Sequence, residues 1–480
     1  MTTKICVNDV VYDSDYYPRQ KPSSATIEEY ADALVAGDKF PPIILEEGTS
    51  KLLDGYHRWK SHQKLIAEPT LFNGDGDTKR FEEIEAEYHI IPEGVTPKLY
   101  AYSLSSKHGL RPKQAEAEAT AMEQYTAMPG TPIVTLAKYL GVSRDTAKKY
   151  IASLVAKFEE TRNTIIMRLD LLGWTQQEIS DKLKELFPDA DGVSQDSVSI
   201  FLREMSNSTF LVKNEIGKGH DIPTVAKRHD LPEILVWQVA LDGLSDKERM
   251  ERLKISIQPY DVWTFGKCHD LFGTKHPGRI PGELVAHVLY FYTRPGAMII
   301  DPMVGSGTTM DVCLALGRKC YGFDIDNRHE RQDVIKHDIS ANGWHERVKK
   351  ADLIFWDAPY FNKMDSSTVG DDGYIDGSIS KLTRDKYLDF FACRLKEAKG
   401  LVRKGTKLAF LMSDWDDNTG QQNGIFIWHY ANVIQDAGWE LTRHIQVPLS
   451  TQQVHPDIVN KFRDSRRLAR LERYLLMAET

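Results

Sequence analysis

The sequence contains little of what marks a secreted or membrane-bound protein. Its 480 residues include only five cysteines, and none of them forms a Cys-x-x-Cys pair. A sparse, odd-numbered set of cysteines argues against a disulfide scaffold and against a structural zinc site. No apolar run reaches the roughly 18 residues of a transmembrane helix, and the first residues lack the basic and then apolar pattern of a signal peptide. We therefore expect a reduced, cytoplasmic protein with no membrane partner.

The sequence also lacks an excess of basic residues. Lys and Arg number 61 against 69 Asp and Glu, and the net charge is −8. A nucleic-acid partner would therefore need basic residues that are concentrated locally. The chain is 41% hydrophobic and 27% charged, which is typical of globular proteins. At roughly 150 residues per domain, we expect about three domains.

Three blocks of different pattern follow one another along the chain. Residues 1–97 hold short apolar runs bounded by turn residues, which predicts a small α/β domain. Residues 98–255 are rich in helical patterns. Residues 256–480 alternate continuous apolar runs of strand length with helical stretches, as in a mainly parallel sheet covered on both faces. The predicted fold class is a multidomain α/β protein.

Residues 131–154 have the pattern of a helix-turn-helix. Apolar residues repeat at helical spacing in two short stretches, with Gly141 at the turn and Ser143 in position to cap the second helix. The exposed side of the second helix carries the candidate DNA-binding residues Arg144, Lys148 and Lys149. A second pair of stretches, 174–183 and 193–205, repeats the pattern less tightly, because its connection is longer and more acidic.

The most informative segment is GAMIIDPMVGSGTTMDVCLALGRKCYGFDID at 296–326. A strand is predicted to end at Asp301, followed by a tight glycine turn at 305–307 and a helix that begins at Thr308. Glycines let a ligand approach the backbone, and the first amides of a helix are free hydrogen-bond donors. A second strand ends at Asp324, whose carboxylate can accept from two ribose hydroxyls. Alone, this pattern allows NAD binding, methyl-donor binding or plain strand-helix packing.

Residues 255–480 resemble the amino-directed DNA methyltransferases that use S-adenosylmethionine. DPMVGSGTT at 301–309 is similar to their donor motif DPFxGSGTT, and DAPY at 357–360 is similar to their catalytic motif (D/N/S)PP(Y/F). Residues 276–296 resemble the helix that precedes the donor motif. The resemblance implies a Rossmann-like domain with S-adenosylmethionine as its cofactor. The implied cofactor-binding residues are Asp301, Pro302, Met303, Gly305, Ser306, Gly307, Thr308, Asp324 and Asp338, of which Asp338 could equally be a helix cap.

The segment DAPY also has a chemical rationale as a catalytic loop. An exocyclic amine is a poor nucleophile, because its lone pair is delocalised into the base, and acceptors for its protons activate it. Asp357 can supply one acceptor and the carbonyl of Ala358 a second, while Pro359 fixes the loop. Tyr360 offers a stacking face to a base flipped out of the duplex. The family has proline where this chain has Ala358, so one fixed φ angle is lost although the carbonyl remains.

The N-terminal block resembles the ParB-like domain. FPPIIL at 40–45, followed by LLDGYHRWKSHQK at 52–64, is similar to a family pattern that contains DGxHRxxA, with Ser61 in place of Ala. Amides and an arginine at such a helix start could hold a nucleotide phosphate, and the candidate residues are Gly55, His57 and Arg58. The alternative is a structural corner between strand and helix. No metal site is expected.

A basic stretch at 459–477 is predicted to be helical. Its basic face could hold phosphates or could simply be solvated. The residues of this face are Lys461, Arg463, Arg466, Arg467, Arg470 and Arg473.

Together these resemblances imply a site-specific DNA methyltransferase with adenine N6 as the favoured target. No Pro-Cys dipeptide is present, so a cysteine that attacks carbon 5 of cytosine has no candidate. The alternatives are a cytosine-N4 methyltransferase and a non-catalytic ParB-like regulator with a decayed methyltransferase domain, for which Ala358 is the only sequence support. The expected partners are double-stranded DNA, a nucleotide at the ParB-like domain and a second copy in a homodimer. Chains of this kind suggest a phage or mobile element and a link to restriction-modification.

Overall fold

The structure is a computed structural model that describes most of the chain. The described residues are 2–18, 22–68, 78–106, 113–188, 190–265, 268–275, 278–327, 329–361, 377–415, 424–448, 460, 463–466 and 472–480, without the side chains of 206–208. They form two compact units. The first comprises Met1–Arg162 and Ser180–Val198, and the second comprises Asn163–Ile179 and Ser199–Thr480.

The first unit begins with a four-stranded mixed sheet. Its strands are β1 (Thr3–Cys6), β2 (Ile43–Glu46), β3 (Leu52–Asp54) and β4 (Glu83–His89), in the order β1-β4-β2-β3. Strands β2 and β4 are parallel, and the other pairs are antiparallel. Helices α1 (Ser24–Ala36) and α2 (Tyr56–Ala67) pack against each other beside the sheet. The buried indole of Trp59 donates to the carbonyl of Val7 at 2.9 Å and so fastens α2 to the N-terminal segment.

A group of helices follows this sheet. They are α3 (Pro97–Ser105), α4 (Gln114–Ala127), α5 (Ile133–Leu140), α6 (Arg144–Tyr150), α7 (Ala152–Leu171), α8 (Gln176–Leu186) and α9 (Gln195–Gly217). Helices α5 and α6 lie where the sequence predicts the helix-turn-helix. Gly141 ends α5 with a φ of 67°, and the hydroxyl of Ser143 accepts from the backbone N–H of Thr146 at 3.1 Å. Leu136 and Ala147 are buried between the helices and hold the pair together.

The second unit contains a seven-stranded sheet. Its strands are β5 (Met298–Asp301), β6 (Lys319–Asp324), β7 (Val334–Lys336), β8 (Leu353–Asp357), β9 (Lys407–Met412), β10 (Glu440–Gln446) and β11 (Tyr474–Glu479). The order is β10-β11-β9-β8-β5-β6-β7. Strands β5 to β9 are parallel, and β11 is antiparallel to both of its neighbours. The expectation of a mainly parallel sheet in an α/β protein is confirmed.

Helices accompany the sheet of the second unit. They are α10 (Ile222–His229), α11 (Glu233–Leu241), α12 (Asp246–Arg252), α13 (Gly282–Tyr292), α14 (Thr308–Leu316), α15 (Ile339–Asn342), α16 (Arg384–Leu401) and α17 (Ile427–Asp436). The chain leaves β5 toward β6 and β7 and later returns to β8 on the other side of β5. Such a switch opens a crevice at the carboxyl ends of the two central strands. Asp301 and Asp357 end these strands and therefore lie at the crevice.

The two units divide the chain differently from the predicted boundaries at 97/98 and 255/256. Much of the helical region belongs to the unit that contains the seven-stranded sheet. The reason is specific contact: the carbonyl of Leu172 accepts from the backbone N–H of Cys320 at 2.9 Å. In addition, the guanidinium of Arg249 donates to the carbonyl of Ala315 at 3.2 Å. These contacts bind the helical segments to β6 and α14.

Two kinds of feature are absent from the part of the chain that the structure describes. No helix there is long and apolar enough to cross a membrane. No group of three or more His, Cys, Asp or Glu side chains there could hold a metal ion.

Candidate active site

Asp301 lies under the loop that joins β5 to α14. Its carboxyl group accepts hydrogen bonds from the backbone N–H of Met303, at 3.1 Å, and from the side chain of Thr309. Burial raises the pKa of Asp301 to about 8, and the nearby charges of Asp357 and Asp324 add to this effect. Because the side chain is only 2% exposed, Asp301 supports the loop rather than offering its carboxylate to a ligand.

The glycine turn and the end of β6 form one accessible edge. Gly305 and Gly307 have φ values of 51° and 81°, in the left-handed region that favours glycine. The backbone N–H of Gly305 donates to Oδ2 of Asp324 at 2.8 Å, and Oδ1 of Asp324 accepts from the N–H of Asp326 at 3.1 Å. Asp324 is partly exposed and Gly305 is exposed. A ligand can therefore reach both the turn and the carboxylate.

The predicted cofactor-binding residues fall into two groups by exposure. The buried group shapes the loop and consists of Asp301, Pro302, Ser306, Gly307 and Thr308. The accessible group consists of Met303, Gly305, Asp324 and Asp338. Asp338 caps α15, because its Oδ1 accepts from the N–H groups of Ser340 and Ala341 at 2.8 and 3.3 Å. Its Oδ2 accepts no hydrogen bond from the described residues and stays available to a ligand.

A buried cluster of four charges, which we call the charge quartet, lies behind the glycine turn. It comprises Arg168, Asp311, Arg331 and Asp333. Nη2 of Arg331 lies 2.9 Å from Asp311 and 2.8 Å from Asp333, and Arg168 pairs with the same two carboxylates. Burial opposes the ionisation of Asp333, but the charges of Arg168 and Arg331 outweigh it and lower the pKa. The quartet is therefore fully ionised in the fold.

The charge quartet holds the turn directly. Nη1 of Arg331 donates to the carbonyl of Ser306 at 3.2 Å. A Cβ at Gly307 would lie 2.2 Å from the guanidinium of Arg331, so only glycine fits there. Sequence reasoning missed the quartet. Its one local sign is Asp311, a single carboxylate inside the otherwise uncharged helix α14.

A segment before α13 holds the same turn from another side. The N–H of Thr274 donates to the carbonyl of Ser306 at 3.0 Å, and the N–H of Gly273 donates to Oδ2 of Asp311 at 2.7 Å. The carbonyl of Ser306 therefore accepts from both Arg331 and Thr274. The turn is thus fixed before any ligand is bound.

The DAPY loop follows β8 beside the glycine turn. The hydroxyl of Tyr360 donates to Oδ1 of Asp357 at 2.7 Å. Burial raises the pKa of Asp357 to about 6, although the hydrogen bond from Tyr360 and the charge of Arg473 act in the opposite direction. Ala358 is buried, whereas Pro359 and Tyr360 are partly exposed. A carboxyl group whose pKa lies this close to neutrality, in a crevice, is typical of functional sites.

Arg473 does not lie on the basic helix face that the sequence predicts. It immediately precedes β11, is 5% exposed, and donates from Nε to the carbonyl of Val447 at 3.2 Å. Strand β11 begins here, between β9 and β10, and Arg473 is therefore buried near Asp357. Arg463 and Arg466 are exposed. The other members, Lys461, Arg467 and Arg470, lie outside the described residues.

The candidate phosphate-binding residues of the N-terminal block have structural partners. Gly55 has a φ of 97° at the start of α2, and a Cβ there would lie 2.6 Å from Ile43. Nε2 of His57 accepts from the N–H of Ser23 at 3.1 Å. The guanidinium of Arg58 pairs with Asp54 at 2.8 Å and also donates to the carbonyls of Pro41 and Pro42. These contacts form a corner between strand and helix, and phosphate binding stays a prediction.

The candidate DNA-binding residues share one helix. Arg144, Lys148 and Lys149 are exposed on α6, while Ala147 of the same helix is buried against its neighbours. The three cations therefore lie on the side of α6 that faces away from the core.

Comparison with known proteins points to the part of the chain that holds the donor motif. Residues 156–335 match the model of a family described as DNA methylase, and this match ends before the DAPY loop. The Type II methyltransferase M2.DpnII of Streptococcus pneumoniae is 37% identical over 82 residues, which are 17% of this chain and 31% of that protein. The DNA adenine methyltransferase YhdJ of Escherichia coli K12 is 29% identical over 94 residues, which are 19% of this chain and 32% of that protein. The chain thus spans about a third of these curated relatives.

Solved structures show only distant similarity. TrmN from Thermus thermophilus has 14% identity and a TM-score of 0.27, over 42% of this chain and 50% of that one. A truncated ParB from Caulobacter crescentus, in complex with CTP-gamma-S, has 12% identity and a TM-score of 0.18, over 34% and 87%. The family match and the curated relatives support a domain of the amino-directed DNA methyltransferase type, with S-adenosylmethionine as its cofactor.

Proposed function

We propose that this chain is a site-specific DNA methyltransferase that methylates the exocyclic amine of a flipped base, with adenine N6 as the favoured target. One observation carries the proposal. The adjacent parallel strands β5 and β8 place the glycine turn and the DAPY loop side by side at the switch point of the sheet. The two loops are near enough that the charge of Asp357 contributes to the raised pKa of Asp301. A donor and an acceptor base could therefore meet between them.

The accessible edge fits S-adenosylmethionine. Gly305 is exposed, and a Cβ there would meet nothing within 4 Å, so the turn leaves room for a ligand. Asp324 can accept from the two ribose hydroxyls, and Oδ2 of Asp338 can accept from the adenine amine. When bound, S-adenosylmethionine supplies an electrophilic methyl group.

The residues of the DAPY loop perform the rest of the proposed chemistry. Asp357 accepts a hydrogen bond from one N–H of the target amine, and the carbonyl of Ala358 accepts a hydrogen bond from the other N–H. Both hydrogen bonds draw the amine toward a pyramidal and more nucleophilic state. Tyr360 stacks on the extruded base. The burial of Ala358 shields its own carbonyl from water.

Double-stranded DNA is the proposed partner. The relative from Escherichia coli is named a DNA adenine methyltransferase, and α6 exposes three cations on one face, as a recognition helix in the major groove would. Several relatives are named Type II methyltransferases, which suits a role beside restriction enzymes. The ParB-like assignment of the first unit, its nucleotide and a homodimer belong to the same proposal.

Nucleoside mass spectrometry tests this function. Plasmid DNA is incubated with the full chain and S-adenosylmethionine, then hydrolysed to nucleosides. The Asp357→Ala variant removes the acceptor, and the Asp385→Ala variant, which changes an 86% exposed side chain, is the matched control. We expect N6-methyladenine from the wild type and from Asp385→Ala only.

Two other outcomes would redirect the proposal. N4-methylcytosine would preserve the mechanism and change the target base. Absence of any methylated base on DNA of varied sequence, together with S-adenosylmethionine binding in calorimetry, would favour the non-catalytic regulator.

A further inference from the structure

The DAPY loop has an unusual backbone at its end. Phe361 has a φ of 48°, in the left-handed region that bulky residues rarely adopt. A residue in this region is strained and persists only when its surroundings hold it there. The loop also lacks the first proline of the family motif, since Ala358 stands in that position. Something other than local sequence must therefore fix the loop.

One buried hydroxyl spans the end of this loop. The hydroxyl of Tyr387, in α16, donates to the carbonyl of Pro359 at 2.6 Å and accepts from the N–H of Phe361 at 3.1 Å. The same N–H lies 2.9 Å from the carbonyl of Pro359. Tyr387 is fully buried, where such hydrogen bonds are strong because the dielectric constant is low. The hydroxyl therefore bridges both ends of the turn.

The ring of Tyr387 is itself anchored to the strand that carries Asp357. Its centroid lies 4.9 Å from Phe391, and Phe391 lies 5.4 Å from Trp356, the residue before Asp357. The ring of Phe361 packs edge-on against Tyr387 at 5.1 Å and against Trp415 at 4.5 Å. One aromatic cluster thus holds both β8 and the loop that follows it.

We propose that Tyr387 is a positioning residue for the DAPY loop and replaces the constraint that the first proline of the motif supplies in the family. The ring of Pro359 fixes its own φ, and the hydrogen bond from Tyr387 fixes its ψ. The peptide that carries the carbonyl of Ala358 then has little freedom, so both acceptors stay aligned. This inference rests on the proposed function, because alignment matters only if the loop activates an amine.

The Tyr387→Phe variant tests the inference, because it keeps the ring and removes only the hydroxyl. We expect kcat for methylation to fall about 10- to 100-fold, as small misplacements of catalytic groups do. The Kd for S-adenosylmethionine and the KM for DNA should change less than about twofold, because Tyr387 is fully buried and its hydroxyl is bonded to the loop. Tyr125→Phe is the matched control, since it removes another buried hydroxyl bonded to the backbone, at Gly130 in the first unit. Its kcat should match that of the wild type.

Rescue by proline separates positioning from a general loss of stability. Adding Ala358→Pro to Tyr387→Phe should restore kcat to within about threefold of the wild type, because the ring supplies the missing constraint. If the double variant is as slow as Tyr387→Phe, the inference is overturned.

Hydrogen exchange provides a readout that does not depend on activity. The amide of Phe361 should exchange at least about tenfold faster in Tyr387→Phe, because it loses one of its two acceptors and the carbonyl of Pro359, the other one, loses its donor. Unchanged exchange would overturn the inference even if activity fell. If the wild type methylates no DNA, the proposed function fails, and the exchange comparison still decides whether Tyr387 holds the loop.

Discussion

The hydroxyl of Tyr360 donates a 2.7 Å hydrogen bond to Oδ1 of Asp357, three residues earlier in the same loop. The residue that is proposed to stack on the target base therefore also holds the carboxylate that is proposed to activate it. An amine that enters the site can use the second oxygen of Asp357, or it displaces Tyr360. Either way, the acidity of Asp357 and the position of Tyr360 are linked.

The Tyr360→Phe variant should shift the pH dependence of methylation. The wild-type rate should rise as pH increases through about 6, because only the ionised Asp357 is a full acceptor. Removing the hydroxyl removes a hydrogen bond that lowers the pKa of Asp357, so the rise should move to higher pH. Rate profiles between pH 5 and 9 measure the shift.

Tyr360→Ala, which also removes the stacking face, should in addition raise the KM for DNA. Identical profiles for wild type and Tyr360→Phe would contradict this link.

The Asp357→Asn variant should be inactive but more stable at alkaline pH. The pKa of Asp357 is raised from 3.8 to about 6 in the folded state, so between these values the folded chain binds more protons than the unfolded one. Stability then falls as pH rises through this window and stays lower above it. At about 1.4 kcal/mol per pKa unit, the ionised group costs up to about 3 kcal/mol.

Asparagine cannot ionise and avoids this cost. Thermal unfolding at pH 8 and pH 4.5 should therefore show a higher Tm for Asp357→Asn at pH 8 and little difference at pH 4.5. A variant that is less stable than the wild type at pH 8 would argue against the raised pKa.

The Gly307→Ala variant should strongly weaken binding of S-adenosylmethionine. Alanine at this position would have to adopt the left-handed backbone conformation, and its Cβ would also collide with Arg331. Gly296→Ala is the matched control, since Gly296 has a similar φ of 84° and a Cβ there meets nothing within 4 Å. Both variants should lose about 1–2 kcal/mol through strain. Only Gly307→Ala should weaken binding more than about tenfold in calorimetry, and equal losses of binding would refute the role of Arg331.

The Arg168→Met variant should destabilise the second unit strongly. It leaves Asp311 and Asp333 with one cation instead of two in a buried site. Breaking a buried ion pair from one side costs about 3–5 kcal/mol. Lys247→Met, at an exposed pair with Glu251, should cost less than about 0.5 kcal/mol. Denaturant unfolding measures both. Because the pKa of Asp333 is lowered in the fold, the quartet's contribution should be present at neutral pH and lost as pH falls below the ordinary carboxyl range.

Charge reversal on α6 should weaken DNA binding and its dependence on salt. The double variant Arg144→Glu, Lys148→Glu replaces two exposed cations. Each phosphate contact that is lost should lower the slope of log affinity against log salt by about 0.9. Lys404→Glu, an exposed lysine after α16, is the control. Fluorescence anisotropy across a salt series would show an unchanged slope if α6 does not touch DNA.

Local features were predictable from the sequence. The apolar runs indicated a mainly parallel sheet, the glycines indicated the turns, where the structure gives them left-handed backbones, and Ser143 indicated the start of α6. Each of these depends on backbone preferences and on side-chain periodicity over a few neighbouring residues. The domain boundaries were harder to predict from the sequence. A charged helix such as α7 has no hydrophobic periodicity that shows which of its residues are buried against another part of the chain.

The sequence by itself determined where the strands end and which residues lie at those ends, and so it placed Asp301, Asp324 and Asp357 at one edge of the sheet. Only the tertiary structure decided which groups control them. Arg168 meets Asp333 across 165 positions, and Tyr387 meets Pro359 across 28. Arg473 is drawn inside because β11 inserts between β9 and β10. Strand order and helix packing create these contacts, and the physical reason is that buried charges and hydroxyls are stabilised by distant partners that no local pattern specifies.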